Sequence, residues 1–417
     1  MITELAINNY KSTLKTVVPL AAFTVLIGEN GAGKSNILET LVLASAASAN
    51  KLDTEYLNAR GVRLCSSSLT TSAFVSDTKN KPISIIIKTD TSLINGKPRI
   101  YKFILRHNDS DTIQWKLDAK STRPLNIQNY LLNFIKNKPN SSTKEIVSQI
   151  NGLSKELERL QEKFSASDSK HATIEVQIDN PQASEMLDGV IYATEFSRFT
   201  VYSPSLEVLK NPLATPATSP IGPKGEGMLA TLLAMEKDEP ERYKDVTESL
   251  KLFGWFTSII LPEEIRSNNL VSMPRLLIKD KFIRTRGLLL DDNSVNEGFL
   301  FVLFYLILFC SSKTPRVFGI ENIDVTLNPR LCEVLIKKLI TLGQKYSKQA
   351  IISTHNPAVL DALNLDDEKQ SLVIVRRNLV GHTLAEKFNK PNNSSNSPIK
   401  LSELFLRGHI GAIPKGI

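Results

Sequence analysis

The octet Gly28-Glu-Asn-Gly-Ala-Gly-Lys-Ser35 has the residue types and spacing to hold a chain of phosphates. It fits G-x-x-x-x-G-K-[ST], in which glycines let the backbone wrap closely around a polyphosphate. The N–H groups of Asn30, Gly31, Ala32, Gly33, Lys34, Ser35 and Asn36 would then point inward. A helix beginning at the loop adds partial positive charge. Lys34 would reach the terminal phosphates, and the Ser35 hydroxyl would ligate Mg²⁺. The implied ligand is ATP with Mg²⁺. The flanks suit the motif: Phe23-Thr-Val-Leu-Ile27 reads as a buried strand, and Ile37, Leu38 and Leu41 recur at helical spacing.

A phosphate loop needs a carboxylate at the end of a neighbouring strand to hold Mg²⁺. Pro315-Arg-Val-Phe-Gly-Ile-Glu-Asn-Ile-Asp324 supplies Glu321 after an apolar run. The plainer reading is an exposed strand-end carboxylate, but ligands in open α/β sheets bind at that end. A helix is expected from about Pro329. Lys348-Gln-Ala-Ile-Ile-Ser-Thr-His-Asn-Pro357 then reads as a strand ending in Thr354 and His355. A lone histidine is usually structural. At a strand end beside the loop it is placed to sense a γ-phosphate or orient water.

The elements that must position these residues follow from the patterning. Ile2–Tyr10 alternates apolar and polar residues, as expected of a strand feeding the sheet that carries the phosphate loop. Lys51 to about Leu69 reads as helix then loop. Ile83–Lys88, Arg99–Leu105 and Thr112–Leu117 read as antiparallel strands separated by turns at Asn95-Gly96 and Asn108-Asp109. Ile146, Ile150, Leu153, Leu157, Leu160 and Phe164 form a heptad seam of under three heptads. An amphipathic helix lying on the rest of the molecule is the plainer account. A short helical arm reaching a partner is the other. Pro204 to Pro223 is proline-rich and reads as an exposed connector or a loop near the nucleotide, not as a structured core. Helices are expected from Gly227 and across Asp238–Phe253, and strands at Leu276–Ile283 and Gly287–Leu290. Phe299–Cys310 is almost wholly apolar, too short for a bilayer, and reads as a buried helix. Asn392–Ser397 reads as a loop.

The chain has 417 residues, enough for two or three domains, with 41% hydrophobic and 23% charged residues, as in ordinary globular proteins. A formal charge of +8 leans only thinly toward a polyanionic partner. Cys65, Cys310 and Cys332 lack metal-ligand spacing and suit a reducing compartment. The N-terminus lacks the pattern of a signal peptide, so a cytoplasmic protein without a membrane segment is expected.

The order of these parts resembles the ABC-type ATPases of the RecF, SMC and OLD group. The group's I-[DE]-[EN]-P-E-x-x-L-H-P is similar to Ile320-Glu-Asn-Ile-Asp-Val-Thr-Leu-Asn-Pro329, and its His switch to Ser353-Thr-His-Asn-Pro357. The resemblance covers about 1–60 and 190–380. It implies an α/β fold, an ABC-type P-loop ATPase head with an antiparallel β lobe and a helical insertion. The corresponding division is 1–60 and 190–417 for the two ATPase parts, 61–121 for the lobe and 122–189 for the insertion. It also implies a signature segment before the Mg²⁺ carboxylate. Asp292-Asn-Ser-Val-Asn-Glu-Gly-Phe299 occupies that place, so Asn296 and Gly298 would contact ATP held by a second copy. Its alternative is an ordinary helix cap at Ser294 or Asn296. A homodimer or higher homo-oligomer with sandwiched nucleotides follows from the resemblance.

Three departures qualify it. Asn322 stands where the group carries a catalytic Glu, and an amide cannot act as a general base. Asp324 is the candidate substitute, so hydrolysis is expected to be slow. Asn296 stands where the signature Ser is common. No glutamine is evident for the Q-loop, whose candidate region is Phe196–Ser205.

The residues after His355 are too few for an appended nuclease domain, although Asp361, Asp366, Asp367 and Glu368 are present. The resemblance is therefore to stand-alone ATPases of bacterial anti-phage systems. These act as sensor or scaffold subunits with a separately encoded effector nuclease or toxin. A RecF-like repair ATPase that binds DNA is the alternative, with salt-sensitive affinity as its mark. A transport ATPase fits the lobe and insertion less well.

Overall fold

The computed structural model describes residues 1–63, 65, 67–74, 81–91, 98–107, 115–118, 196–211, 220–260, 276–285, 287–390 and 400–408. The expected helical insertion with its heptad seam, the turns Asn95-Gly96 and Asn108-Asp109, and the Asn392–Ser397 loop lie outside them.

Two larger sheets are built from the described strands. The first contains β1 (Ile2–Tyr10), β2 (Thr13–Pro19), β4 (Ile83–Thr91), β5 (Pro98–His107) and β6 (Trp115–Leu117), in the order β2-β1-β4-β5-β6, all antiparallel. The second is led by β3 (Phe23–Ile27) and continues through β7 (Val201–Tyr202), β10 (Val317–Ile320), β11 (Gln349–Thr354), β12 (Gln370–Arg377) and β13 (Thr383–Lys387). Its order is β13-β12-β3-β11-β10-β7, parallel except for β13. A third, two-stranded antiparallel sheet pairs β8 (Phe256–Ile260) with β9 (Leu277–Asp280).

This arrangement corrects the expectation for Ile2–Tyr10. The strand belongs to the antiparallel sheet and not to the one carrying the phosphate loop. Alternation specifies a half-buried strand and leaves its neighbours open. The two sheets are nonetheless tied. Gln349 on β11 accepts from Ile2 N at 2.8 Å and donates to Ile2 O at 2.7 Å and Ala21 O at 3.0 Å. Thr16 Oγ1 on β2 donates to Thr383 O at 2.7 Å.

The parallel sheet is buried on both faces, which is why its strands read as continuous apolar runs. On β3, Phe23, Val25 and Ile27 join one core and Leu26 the other. The first core holds α7 (Glu297–Cys310), in which every residue after Glu297 is buried. The described helices α4 (Leu206–Lys210), α5 (Met228–Asp238), α6 (Pro240–Leu250) and α8 (Pro329–Lys345) add Leu209, Leu232, Val246 and Leu339 to it. The second core is filled by α1 (Lys34–Ser48), packed between the two sheets with Ile37, Leu38 and Leu41 buried. A helix apolar on nearly all sides is a buried helix, as the Phe299–Cys310 sequence suggested.

Two further expectations change. Gly287–Leu290 forms no strand; Leu290 only bridges to Ile278. Within Pro204–Pro223, Leu209 and Ile221 are core residues, so the described ends of that segment are not an exposed connector. Between α1 and the lobe lie two short helices, α2 (Thr54–Asn58) and α3 (Ser67–Thr70).

Candidate nucleotide site

The C-terminal ends of β3, β10 and β11 lie side by side, in the order β3-β11-β10. Each contributes a sequence-predicted residue just past its last pairing. The turn after β3 carries Gly28 to Gly33, and α1 begins at Lys34. Gly33 has φ 107°, and a Cβ there would overlap the Thr383 hydroxyl. A Cβ at Gly28 would run into the Val375 carbonyl oxygen. Both positions demand glycine because backbone passes closely over β12 and β13.

Lys34 Nζ donates to the carbonyls of Gly28 at 2.7 Å and Glu29 at 2.9 Å, and stands 3.5 Å from His355 Nδ1. Burial draws its pKa down to about 8, while Glu321, Asp324 and Glu29 pull the other way. His355 is likewise lowered, by burial first and then by the Lys34 charge. Both effects favour the uncharged imidazole, whose Nδ1 can accept from the ammonium. Ser35 Oγ donates to Glu321 Oε1. Glu321 is fixed by its backbone N–H, which donates to Tyr202 O at 2.8 Å. Thus the Phe196–Ser205 segment, through β7, flanks the strand that carries Glu321.

Asp324 accepts from Thr354 Oγ1 at 2.6 Å, and that hydroxyl accepts from Asn356 N at 3.0 Å. The carboxylate is thereby anchored to the end of β11 next to His355. Asn322 adopts φ 51°, and its backbone N–H donates to Ser353 Oγ at 3.1 Å. Left-handed backbone favours Asn among non-glycine residues.

The structure therefore brings Asn30, Gly31, Ala32, Gly33, Lys34, Ser35 and Asn36 to one sheet edge with Glu321, Asn322, Asp324 and His355. Asn296 and Gly298 are elsewhere. Asn296 occupies the N-cap of α7 without a side-chain cap bond, while Ser294 Oγ donates to Asp291 Oδ1. They line a cavity of about 470 Å³ with Phe253, Trp255, Thr326 and Arg330, none of them from the phosphate loop.

The residues fit Mg²⁺ and a triphosphate by their chemistry. A hydroxyl and a carboxylate in contact are the hard oxygen donors Mg²⁺ takes alongside phosphate oxygens. Among the described residues no group of three or more His, Cys, Asp or Glu could hold a metal unaided. Phosphate oxygens and waters would complete the shell.

Sequence reasoning missed the outer supports. Arg377 Nε donates to Gly31 O at 2.8 Å, Thr383 Oγ1 donates to Ala32 O at 2.8 Å, and Asn36 Nδ2 donates to Ser12 Oγ at 2.7 Å. These partners lie up to 351 positions apart and carry no motif. Glu39, an acid set among buried apolar residues of α1, is a further charge that no motif accounts for.

The fold is that of an ABC-type P-loop head. The model of one domain family matches residues 23–361, and its description is "AAA domain, putative AbiEii toxin, Type IV TA system". The chain belongs to this AAA family. A search of curated proteins finds no match. Among solved structures, the fold is similar to an SMC head bound to the C-terminal winged-helix domain of ScpA. That match has a TM-score of 0.54 at 12% identity and covers 93% of this chain and 98% of that one. The SMC head domain of Thermotoga maritima also matches, with a TM-score of 0.44 at 11% identity over 93% and 99% of the two chains. Among the described residues no helix is long and apolar enough to cross a membrane.

Proposed function

We propose that the chain binds Mg·ATP at the edge formed by β3, β10 and β11 and hydrolyses it slowly. The observation that carries this reading is the contact of Ser35 with Glu321 beside Lys34, across 286 positions of sequence. Lys34 would neutralise the terminal phosphates, and Ser35 with Glu321 would hold Mg²⁺. Asp324 would accept the proton of the attacking water, because Asn322 has no basic group. His355 would orient that water or the γ-phosphate as a neutral imidazole.

Asn296 and Gly298 would contact ATP bound to a second copy, so ATP would assemble the heads in pairs or larger rings. Assembly would be the output, with the chain acting as the sensor or scaffold of a bacterial anti-phage system whose effector is encoded separately. The family description, which names a toxin of a toxin–antitoxin system, favours that context. The SMC head that this fold resembles is seen with a separate protein, which favours a partnered head. A Lys34→Ala variant is expected to lose Mg·ATP binding in calorimetry and, with it, co-purification of the effector. Retained ATP binding would refute the site. Steeply salt-dependent, ATP-dependent binding of duplex DNA by the chain alone would favour the repair reading instead.

A further inference from the structure

The turn between β12 and β13 departs from the usual chemistry of hairpin tips. Such tips favour polar residues and glycine. This one is Asn378-Leu-Val-Gly381, in which Leu379 is fully exposed and Val380 is 67% exposed. Phe74, 45% exposed, extends the apolar surface, because its ring lies against Gly381 and meets His382 edge-on at 5.9 Å between centroids. Adjacent apolar side chains in water favour any contact that removes them from it.

The tip is held in one shape. Asn378 Oδ1 accepts from Val380 N at 3.1 Å and from His382 N at 2.8 Å. Asn378 N donates to His382 O at 2.9 Å, and Gly381 N donates to Asn378 O at 3.0 Å. Gly381 takes φ 85° where a Cβ would come within 2.9 Å of the Phe74 ring. A tip ordered in advance loses little conformational freedom on contact. Its place is also fixed. Arg377, the residue before the turn, donates through Nε to Gly31 O in the phosphate loop at 2.8 Å. The two aliphatic side chains therefore stand beside the loop.

The matching surface is the cavity of about 470 Å³ at the start of α7. Leu252, Phe253, Trp255, Leu331 and Val334 give it apolar walls, and Gly298 lies in it. Phe299 braces two of the walls, with ring centroids 5.4 Å from Phe253 and 5.3 Å from Trp255. Gly298 is the residue read above as meeting ATP held by a second copy. A pairing that brings the phosphate loop of one copy to Gly298 of another also brings the tip beside that loop toward the cavity that Gly298 lines. In a two-fold pair the contact is made twice, tip to cavity and cavity to tip.

We propose that Leu379 and Val380 form a knob that seats in the α7 cavity of a second copy of this chain, against Trp255 and Val334. This rests on the head-to-tail ATP reading above. The occupant is a second copy because knob and cavity belong to one chain, each beside one half of the shared nucleotide site. An aliphatic anchor in a preformed pocket is also the kind of contact that carries most of the binding in an interface. ATP aligns the two copies, and the apolar contact holds them.

The test is disulfide trapping in the full chain, in a Cys65→Ser background because Cys310 and Cys332 are buried. Copies carrying Leu379→Cys are mixed with mass-tagged copies carrying Val334→Cys or, as a second wall position, Leu252→Cys, and oxidised with and without Mg·ATP. A disulfide between unlike copies that requires Mg·ATP is expected. In sedimentation, Leu379→Ser/Val380→Ser should weaken ATP-driven association by about tenfold or more, the loss of two buried aliphatic groups. Its thermal midpoint should be unchanged and its ATP affinity as a monomer within about twofold of wild type, since both side chains lie in solvent. Leu379→Cys copies that couple only to each other would overturn the contact. So would unlike copies that couple at neither wall position while wild type pairs with Mg·ATP. Weaker ATP binding by the Ser/Ser variant with undiminished pairing would assign the tip to the nucleotide and overturn it too. Wild type that binds Mg·ATP and stays monomeric defeats the pairing reading and this contact with it, whereas pairing without the trapped disulfide defeats only the knob.

Discussion

Lys34 sits where its own charge is disfavoured, with burial bringing its pKa to about 8 against the partial support of Glu321, Asp324 and Glu29. A bound triphosphate favours the ammonium, so above that pH binding must take up a proton. Affinity for Mg·ATP should therefore fall as pH rises through about 8. Lys34→Arg, which stays charged, should bind more weakly but with a flat profile over the same range. Equal pH profiles for the two proteins would show that Lys34 does not titrate against the nucleotide. Asn322 and Asp324 can be separated in the same manner. Asn322 sits at φ 51°, a conformation glycine also accepts, so Asn322→Gly should keep ATP turnover within about twofold. Asp324→Asn should lower turnover by about 100-fold or more with ATP affinity little changed. If Asn322→Gly is the damaging change, the amide has a chemical part that the proposed base does not explain.

Two helices on opposite faces of the parallel sheet do most to position these residues, and both were legible. Phe299–Cys310 could only be a buried helix, because no bilayer-length run surrounds it and nothing polar breaks it. Phe304 is fully buried in α7, with ring centroids 5.9 Å from Tyr202 and 5.5 Å from Tyr305. Phe304→Ala should cost about 3–5 kcal/mol and lower the thermal midpoint, measured by calorimetry without nucleotide. A shift near zero would mean that α7 is not packed as described. The phosphate loop, the strand before Glu321 and the strand before His355 were legible for a similar reason: each is a short apolar run ended by a polar residue of known use. What was not legible depends on pairing. The alternation in Ile2–Tyr10 looks the same whichever sheet it joins. Gly287–Leu290 is a short apolar run, yet only Leu290 makes a β-bridge. Glu39 is an acid in an apolar helix, and Arg63 and Lys11 are named as its partners only by the fold. Thr383, which supports the loop at Ala32, has no local signature at all.

At the scale of the whole molecule, the cavity at the start of α7 is lined by none of the phosphate-loop residues, which makes assembly testable apart from loop chemistry. Gly298 lies against Asn296, Leu327 and Thr326, and the cavity wall continues through Trp255 and Arg330. The first turn of α7 leaves its N–H groups without a side-chain cap, a setting that favours an anion. A Gly298→Asp variant places a carboxylate there. It should repel an incoming phosphate while leaving Lys34, Ser35 and Glu321 untouched. In sedimentation with Mg·ATP, wild type should run as a dimer or larger species and Gly298→Asp as a monomer. Both should bind ATP with affinities within about threefold of each other in the monomeric regime, since the substitution alters none of the phosphate-loop groups. Mixing Gly298→Asp with Lys34→Ala then gives a sharper result. The first supplies an intact nucleotide edge and the second an intact α7 start, so one of the two sandwiched sites can form in the mixed pair. ATP-dependent association of the mixture, with neither variant associating alone, would establish a head-to-tail pairing. Association of Gly298→Asp by itself would place the contact between copies on another face.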